Sequence, residues 1–125
     1  MKLLVVENDI ANAAIIKRFL QGAYDVDVAY DSKSAVDLVD SRPYDGYLLD
    51  INLGEETNGI ELMAIIKDSP NYTGQPIISV TAYATAQDRH EFLNSGFTHY
   101  IPKPVDKYKL IEVISGAIED YKKEK

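Results

Sequence analysis

The sequence predicts an α/β fold built as a doubly wound parallel sheet, and two observations predict it. First, five short apolar runs alternate with five stretches of helical spacing. That alternation requires parallel strands covered on both faces by right-handed crossovers. Second, the apolar runs end on polar chemistry: Glu7, Asn8 and Asp9 after the first, Asp50 after the third, Thr81 after the fourth and Lys103 after the fifth. Parallel sheets of this kind bind ligands at the carboxyl ends of their strands.

Taken in order, residues 2–6 are wholly apolar after Lys2, the pattern of a strand covered on both faces. From Asn12 the apolar positions Ile15, Ile16, Phe19 and Leu20 fall at helical spacing, and Gly22 supplies a stop. "YDVDVAY" alternates like a strand, with Val26 and Val28 on one face and Asp25 and Asp27 on the other. "DSKSAVDLVDSR" reads as a helix capped by Asp31 or Ser32, with Pro43 beyond its end. "YDGYLLDINL" is the third strand and "GEETNG" a loop, followed by a helix over 60–68. "SPNYTGQP" carries loop chemistry, and "PIISVTA" is a buried strand ending at Thr81. "TAQDRHEFLNSG" reads as a helix closed by Gly96 and "FTHYIPKP" as the last strand. A final helix over 106–122 has an apolar stripe through Leu110, Val113, Ile114, Ala117 and Ile118. With 125 residues and no repeat or linker, one domain over 1–125 is expected.

Composition narrows the function. A net charge of −7 argues against nucleic acid or an anionic membrane as partner, since both favour basic surfaces. No apolar stretch approaches the roughly 20 residues of a membrane span. The absence of Cys excludes disulfides and thiolate metal sites and points to a reducing cytoplasm. His90 and His99 have no spaced partners and read as solvated surface residues. Ser32, Ser34 and Ser79 lack the His–Asp partners of a nucleophilic serine.

The strand tips would bring three or more carboxyl groups together with a hydroxyl and an ammonium. Clustered carboxylates repel one another unless a cation lies among them. Oxygen ligands without His or Cys favour Mg²⁺, which takes one or two carboxylates and keeps several waters. Such a site suits phosphoryl chemistry. Asp50 is then the nucleophile, the metal and Lys103 neutralise developing charge, and Thr81 bonds a phosphoryl oxygen.

Four segments, "VVEND", "LLDINLGEETNGIEL", "ISVTA" and "YIPKP", occur in an order and at spacings that resemble the receiver domain of two-component response regulators, over essentially the whole chain. The resemblance implies a flavodoxin-like five-stranded sheet in the order 2-1-3-4-5 with five helices. It implies that Asp50 accepts a phosphoryl group from a phosphohistidine on a sensor histidine kinase or histidine phosphotransfer protein, with Lys103 pairing with that group and Thr81 swinging toward it. Tyr100 matches an aromatic switch position. Metal ligands would be Glu7, Asn8, Asp50 and the Asn52 backbone carbonyl. A cis Lys103–Pro104 bond is expected, and a downstream protein would dock on the fourth helix, fifth strand and fifth helix, roughly 84–122. The domain would be no enzyme on a separate substrate, but would assist its own phosphorylation and dephosphorylation. The Met1 start and lysine-rich end favour a stand-alone receiver over a segment of a hybrid kinase.

One departure matters. Asn8 stands where the family usually places a directly ligating acid, so Mg²⁺ should bind more weakly. Asp9 is a candidate to compensate, although it would have to turn back from the start of a helix, where capping competes for it. The longer loop at 54–59 lacks the family's usual Pro. Asn8 also motivates the alternative of a receiver-like module that binds proteins without phosphorylation. A flavin carrier is rejected because Glu7, Asn8 and Asp9 would repel the cofactor's phosphate. An aspartyl-nucleophile phosphatase is rejected because "DINLG" has Asn52 where a second Asp belongs.

Overall fold

A computed structural model describes residues 1–51, 53–54, 58–82, 90–91 and 94–123. Its strands are β1 (Lys2–Val6), β2 (Asp25–Ala29), β3 (Gly46–Asp50), β4 (Ile77–Thr81) and β5 (His99–Pro102). They form one parallel sheet in the order β2-β1-β3-β4-β5. This is the predicted order, with the change of direction falling between β1 and β3. Its helices are α1 (Ile10–Leu20), α2 (Ser32–Ser41), α3 (Gly59–Asp68) and a last helix, α4 (Lys107–Lys123). Four helices thus stand among the described residues where the sequence predicts five. The remaining one, expected over 85–96, lies largely outside the described residues, although His90, Glu91, Asn94 and Ser95 are helical.

Each central strand feeds two cores because successive side chains alternate faces. Leu3, Val5, Leu48, Ile78 and Val80 pack with Ile16 and Leu20 of α1 and Leu110, Ile114 and Ile118 of α4. Leu4, Val6, Tyr47, Leu49 and Ile77 pack with Ala35 and Val39 of α2 and Leu62, Met63 and Ile66 of α3. Burying each such aliphatic side chain contributes about 1.5–3 kcal/mol. This explains why the strands read as unbroken apolar runs. Edge strand β2 differs: Val26 and Val28 are only half-buried, and its Asp27 faces away from them.

Local chemistry sets the helix ends. Asp9 caps α1 by accepting from Asn12 N at 3.0 Å, and Asp31 caps α2 by accepting from Ser34 N at 2.8 Å, which selects Asp31 over Ser32. The hydrogen bonds anchor Asp31 as a carboxylate, lowering its pKa. Asn58 caps α3 through Glu61 N, and Asp106 accepts from Lys109 N at the start of α4. The stop assigned to Gly22 works differently: positive φ among the glycines is confined to Gly54, Gly74 and Gly96, and α1 ends through Gln21 and a turn onto Leu20. The Lys103–Pro104 bond is cis, as expected. Among the described residues no helix is long and apolar enough to cross a membrane.

Candidate functional site

Strand register assembles the site. Val6 lies opposite Leu49, Asp50 opposite Val80, and Thr81 opposite Pro102. One step beyond each strand therefore sets Glu7 opposite Asp50, and Lys103 opposite Ala82, the residue after Thr81. Two further ladder bonds fix these steps: Glu7 N donates to Ala29 O at 3.0 Å, and Lys103 N to Thr81 O at 2.8 Å. The result is a cleft of about 360 Å³ lined by Glu7, Asn8, Asp9, Asn12, Asp50, Thr81, Ala82 and Lys103.

Within it Lys103 Nζ donates to Glu7 Oε1 at 2.5 Å and to Asp50 Oδ2 at 3.2 Å. Glu7 is 1% exposed, Asp50 7% and Thr81 1%. Burial and the nearby Asp50 carboxylate push the Glu7 pKa up, against the pull of Lys103. For Lys103, burial works against the charged form, but the hydrogen bond to Glu7 and the charges of Asp50 and Glu7 outweigh it and hold its pKa above the ordinary lysine value. Glu7 and Asp50 thus share the Lys103 ammonium at a solvent-facing cleft.

The three carboxylates expected from the sequence do not converge. Asp9 reaches the cleft lining, but its Oδ1 caps α1, and its own N–H donates to Glu7 Oε2 at 3.3 Å. Among the described residues no group of three His, Cys, Asp or Glu could hold a metal. Mg²⁺ needs only one or two carboxylates, and the donors here are all oxygen, so the cleft fits that ion with less charge than three acids would supply. Asn8 is exposed at the rim, its Nδ2 set 3.0 Å from where a Cβ on Gly54 would lie. Asn52 lies outside the described residues. Tyr100 is half-buried on β5 and packs against the core on the α2 and α3 side. His99 is not the solvated residue expected: it is half-buried, and burial lowers its pKa, with Asp120 pulling the other way. Ser79 is fully buried, its hydroxyl without a hydrogen-bond partner among the described residues.

Sequence reading had no role for Ala82, whose signal is only its place one residue past Thr81. It also missed an apolar groove of about 400 Å³ that shares Asn12, Ala82 and Lys103 with the cleft and continues along Ile15, Ile16, Pro104 and Val105. Ile15, one of the apolar positions at helical spacing, is 44% exposed.

A family model for the response regulator receiver domain matches residues 3–115. The chain is 35% identical over 128 aligned positions to hybrid signal transduction histidine kinase I of Dictyostelium discoideum, covering 96% of this chain and 7% of that protein. It is 34% identical over 117 positions to response regulator ArlR of Staphylococcus epidermidis, covering 93% of this chain and 52% of that one. The chain thus spans about half of one relative and a small part of the other. Among solved structures, the receiver domain of sensor histidine kinase PA1611 from Pseudomonas aeruginosa PAO1 has a magnesium ion coordinated in its active-site cleft. It is 28% identical with a TM-score of 0.84, covering 94% of this chain and 97% of that one. With its 2-1-3-4-5 sheet and its acidic cleft at the strand ends, the chain belongs to the response regulator receiver domain family of two-component signalling.

Proposed function

We propose that this receiver domain is a phosphoacceptor, taking a phosphoryl group onto Asp50 from a phosphohistidine of a sensor histidine kinase or histidine phosphotransfer protein. The observation that carries the reading is the pair of buried carboxylates, Glu7 and Asp50, sharing the Lys103 ammonium at an open cleft. An Asp50 oxygen attacks phosphorus, and the O–P bond forms as the P–N bond breaks. The P–N electron pair returns to the imidazole, which leaves neutral when its other nitrogen carries a proton. Lys103 balances charge on the transferred group, and the Thr81 hydroxyl donates to one of its oxygens. Glu7, Asp50, the Asn8 amide oxygen and the Asn52 carbonyl would hold Mg²⁺, which supplies positive charge to the phosphoryl oxygens when bound. The domain turns over no separate substrate; it assists its own phosphorylation and dephosphorylation.

The donor must lower its histidine into the cleft, so the surface around that histidine covers the apolar groove at Ile15, Pro104 and Val105. The phosphoryl group carries about −1.5 to −2 beside Thr81 and Lys103, by analogy with other phosphorylated side chains, where the Asp50 carboxylate carried −1. Movement of Thr81 toward it lets Tyr100 turn inward and changes the surface formed by β5, α4 and the helix expected over 85–96, where a downstream protein docks. The reading puts the protein in the cytoplasm, away from nucleic acid and membrane, and is supported by the absence of Cys and the net charge of −7.

Intact mass after incubation with acetyl phosphate and Mg²⁺ tests the proposal. A gain of one phosphoryl mass, absent in Asp50→Ala, is expected. No gain would favour the second reading, a module that binds proteins without phosphorylation. Asn8 in an acid's place and Asp9 committed to the α1 cap favour that reading. Thr81→Ala should still phosphorylate but lose most of the effect on partner binding; retention of the full effect would remove Thr81 from the coupling.

A further inference from the structure

We infer that Gly59 is a positioning residue for the acceptor carboxylate, its missing side chain allowing the first turn of α3 to pack directly on the Asp50 backbone. The inference rests on Asp50 being the acceptor. A Cβ at Gly59 would lie 2.3 Å from Asp50 O, 3.0 Å from Asp50 C and 2.9 Å from Ile51 Cα. Real Cβ atoms essentially never come closer than 3.0 Å, and these neighbours are backbone atoms that cannot rotate away. The same approach is held by Gly59 N donating to Ile51 O at 2.9 Å and by the Asn58 cap on Glu61 N at 2.9 Å. Space is the reason for glycine here, since positive φ belongs to Gly54, Gly74 and Gly96 instead.

Adding a methyl group therefore pushes the Asp50 peptide or the start of α3 aside by most of an ångström. Asp50 Oδ2 is set 3.2 Å from Lys103, and the in-line attack on phosphorus depends on that placement. A misplacement of about 1 Å can cost about 100-fold in rate. Gly96 supplies the control. It too resists a side chain, with φ of 120° and a Cβ position 2.7 Å from Lys67 Nζ and 3.2 Å from Met63 Cε, but it does not line the cleft.

The test compares wild type, Gly59→Ala and Gly96→Ala as full chains, with urea unfolding and the rate of phosphoryl gain from acetyl phosphate and Mg²⁺. Gly59→Ala should phosphorylate about 10- to 100-fold more slowly while folded. Gly96→Ala should match wild type even where it loses as much stability. A wild-type rate in Gly59→Ala, or slowing in both variants in proportion to lost stability, overturns the inference. If Gly59→Ala does not fold, Asn58→Ala loosens the same turn without adding atoms. A several-fold slower rate there supports the inference and an unchanged rate overturns it. Should wild type itself gain no phosphoryl group, the acceptor reading falls. The carbon resonance of the Asp50 carboxyl then decides the positioning: it should move in Gly59→Ala and stay in Gly96→Ala, and no movement in Gly59→Ala refutes it.

Discussion

Two clusters of charged residues stand at different ends of the sheet, built from the same kinds of residue. Toward the amino ends, Asp27 lies 3.5 Å from both the Lys2 ammonium and the Arg42 guanidinium, and accepts the Tyr44 hydroxyl at 2.7 Å. At the carboxyl ends, Lys103 pairs with both Glu7 and Asp50. The first cluster gives one carboxylate two cations and leaves them 37% and 46% exposed. The second gives two carboxylates one cation and buries nearly all of Glu7. Exposed pairs are worth little because water screens them, and buried pairs barely offset their own desolvation. An ion pair is therefore poor evidence of a site. Buried acids crowded onto one shared cation at an open cleft are better evidence, because a charged ligand can reach them there.

Removing Lys103 should break the contrast most. Lys103→Ala should slow phosphoryl uptake about 100- to 1,000-fold, by analogy with loss of a single charge-stabilising donor. Arg42→Ala, its counterpart in the other cluster, should leave uptake unchanged; equal rates in the two variants would erase the distinction. Asn8→Asp comes next, adding at the cleft the acid that the family usually carries there. Added Mg²⁺ should raise its thermal midpoint more than that of wild type, and EDTA should return both to baseline. Binding to the folded state alone stabilises by about 2.7 kcal/mol at 100 times Kd. Identical midpoint shifts would mean that the amide serves as well as the acid.

In the amino-end cluster, Tyr44→Phe removes the hydrogen bond to Asp27 and should cost about 1 kcal/mol in urea unfolding, with phosphorylation intact. The smallest effect belongs to Tyr47, packed edge-on to Tyr44 at 5.8 Å, whose hydroxyl is buried without a partner among the described residues. Burial pushes its pKa from 10.0 to about 12, against a weak pull from the Tyr44 backbone that falls short of hydrogen-bond geometry. The folded state thus binds its proton more tightly than the unfolded chain, so this contribution is complete below pH 10 and is lost as pH rises through about 12. Tyr47→Phe should leave stability at neutral pH unchanged or slightly raised and flatten the alkaline loss. A clear loss at neutral pH would show that the hydroxyl has a partner.

Much of the fold was legible because its signals are local. The apolar runs around Leu3 to Val6 and Ile77 to Val80, and the acids before α1 and α2, each declare their element within a few residues. Edge strand β2 was legible by alternation, since Val26 and Val28 pack on the α1 side while Asp25 is exposed and Asp27 pairs with surface cations on the other. The family segments around Glu7, Asp50, Thr81 and Lys103 named the candidate site, and strand register then brought those four residues together. Asp9 was less legible. The sequence offers it both a cap and a cation, and the N–H groups of the α1 terminus, 3.0 Å away at Asn12, are the nearer partners. His99 was misread because exposure on β5 depends on what covers that edge, which has no signature in the residue itself.

The sequence by itself determined the order of elements, the parallel sheet and the identity of the four residues at the strand tips, because periodicity and capping are properties of neighbours in the chain. Tertiary structure alone decided which carboxylates share Lys103, how deeply Glu7 is buried and why position 59 admits no side chain. Those depend on distances between segments as much as 96 residues apart, fixed only when the strands register and α3 closes onto Asp50.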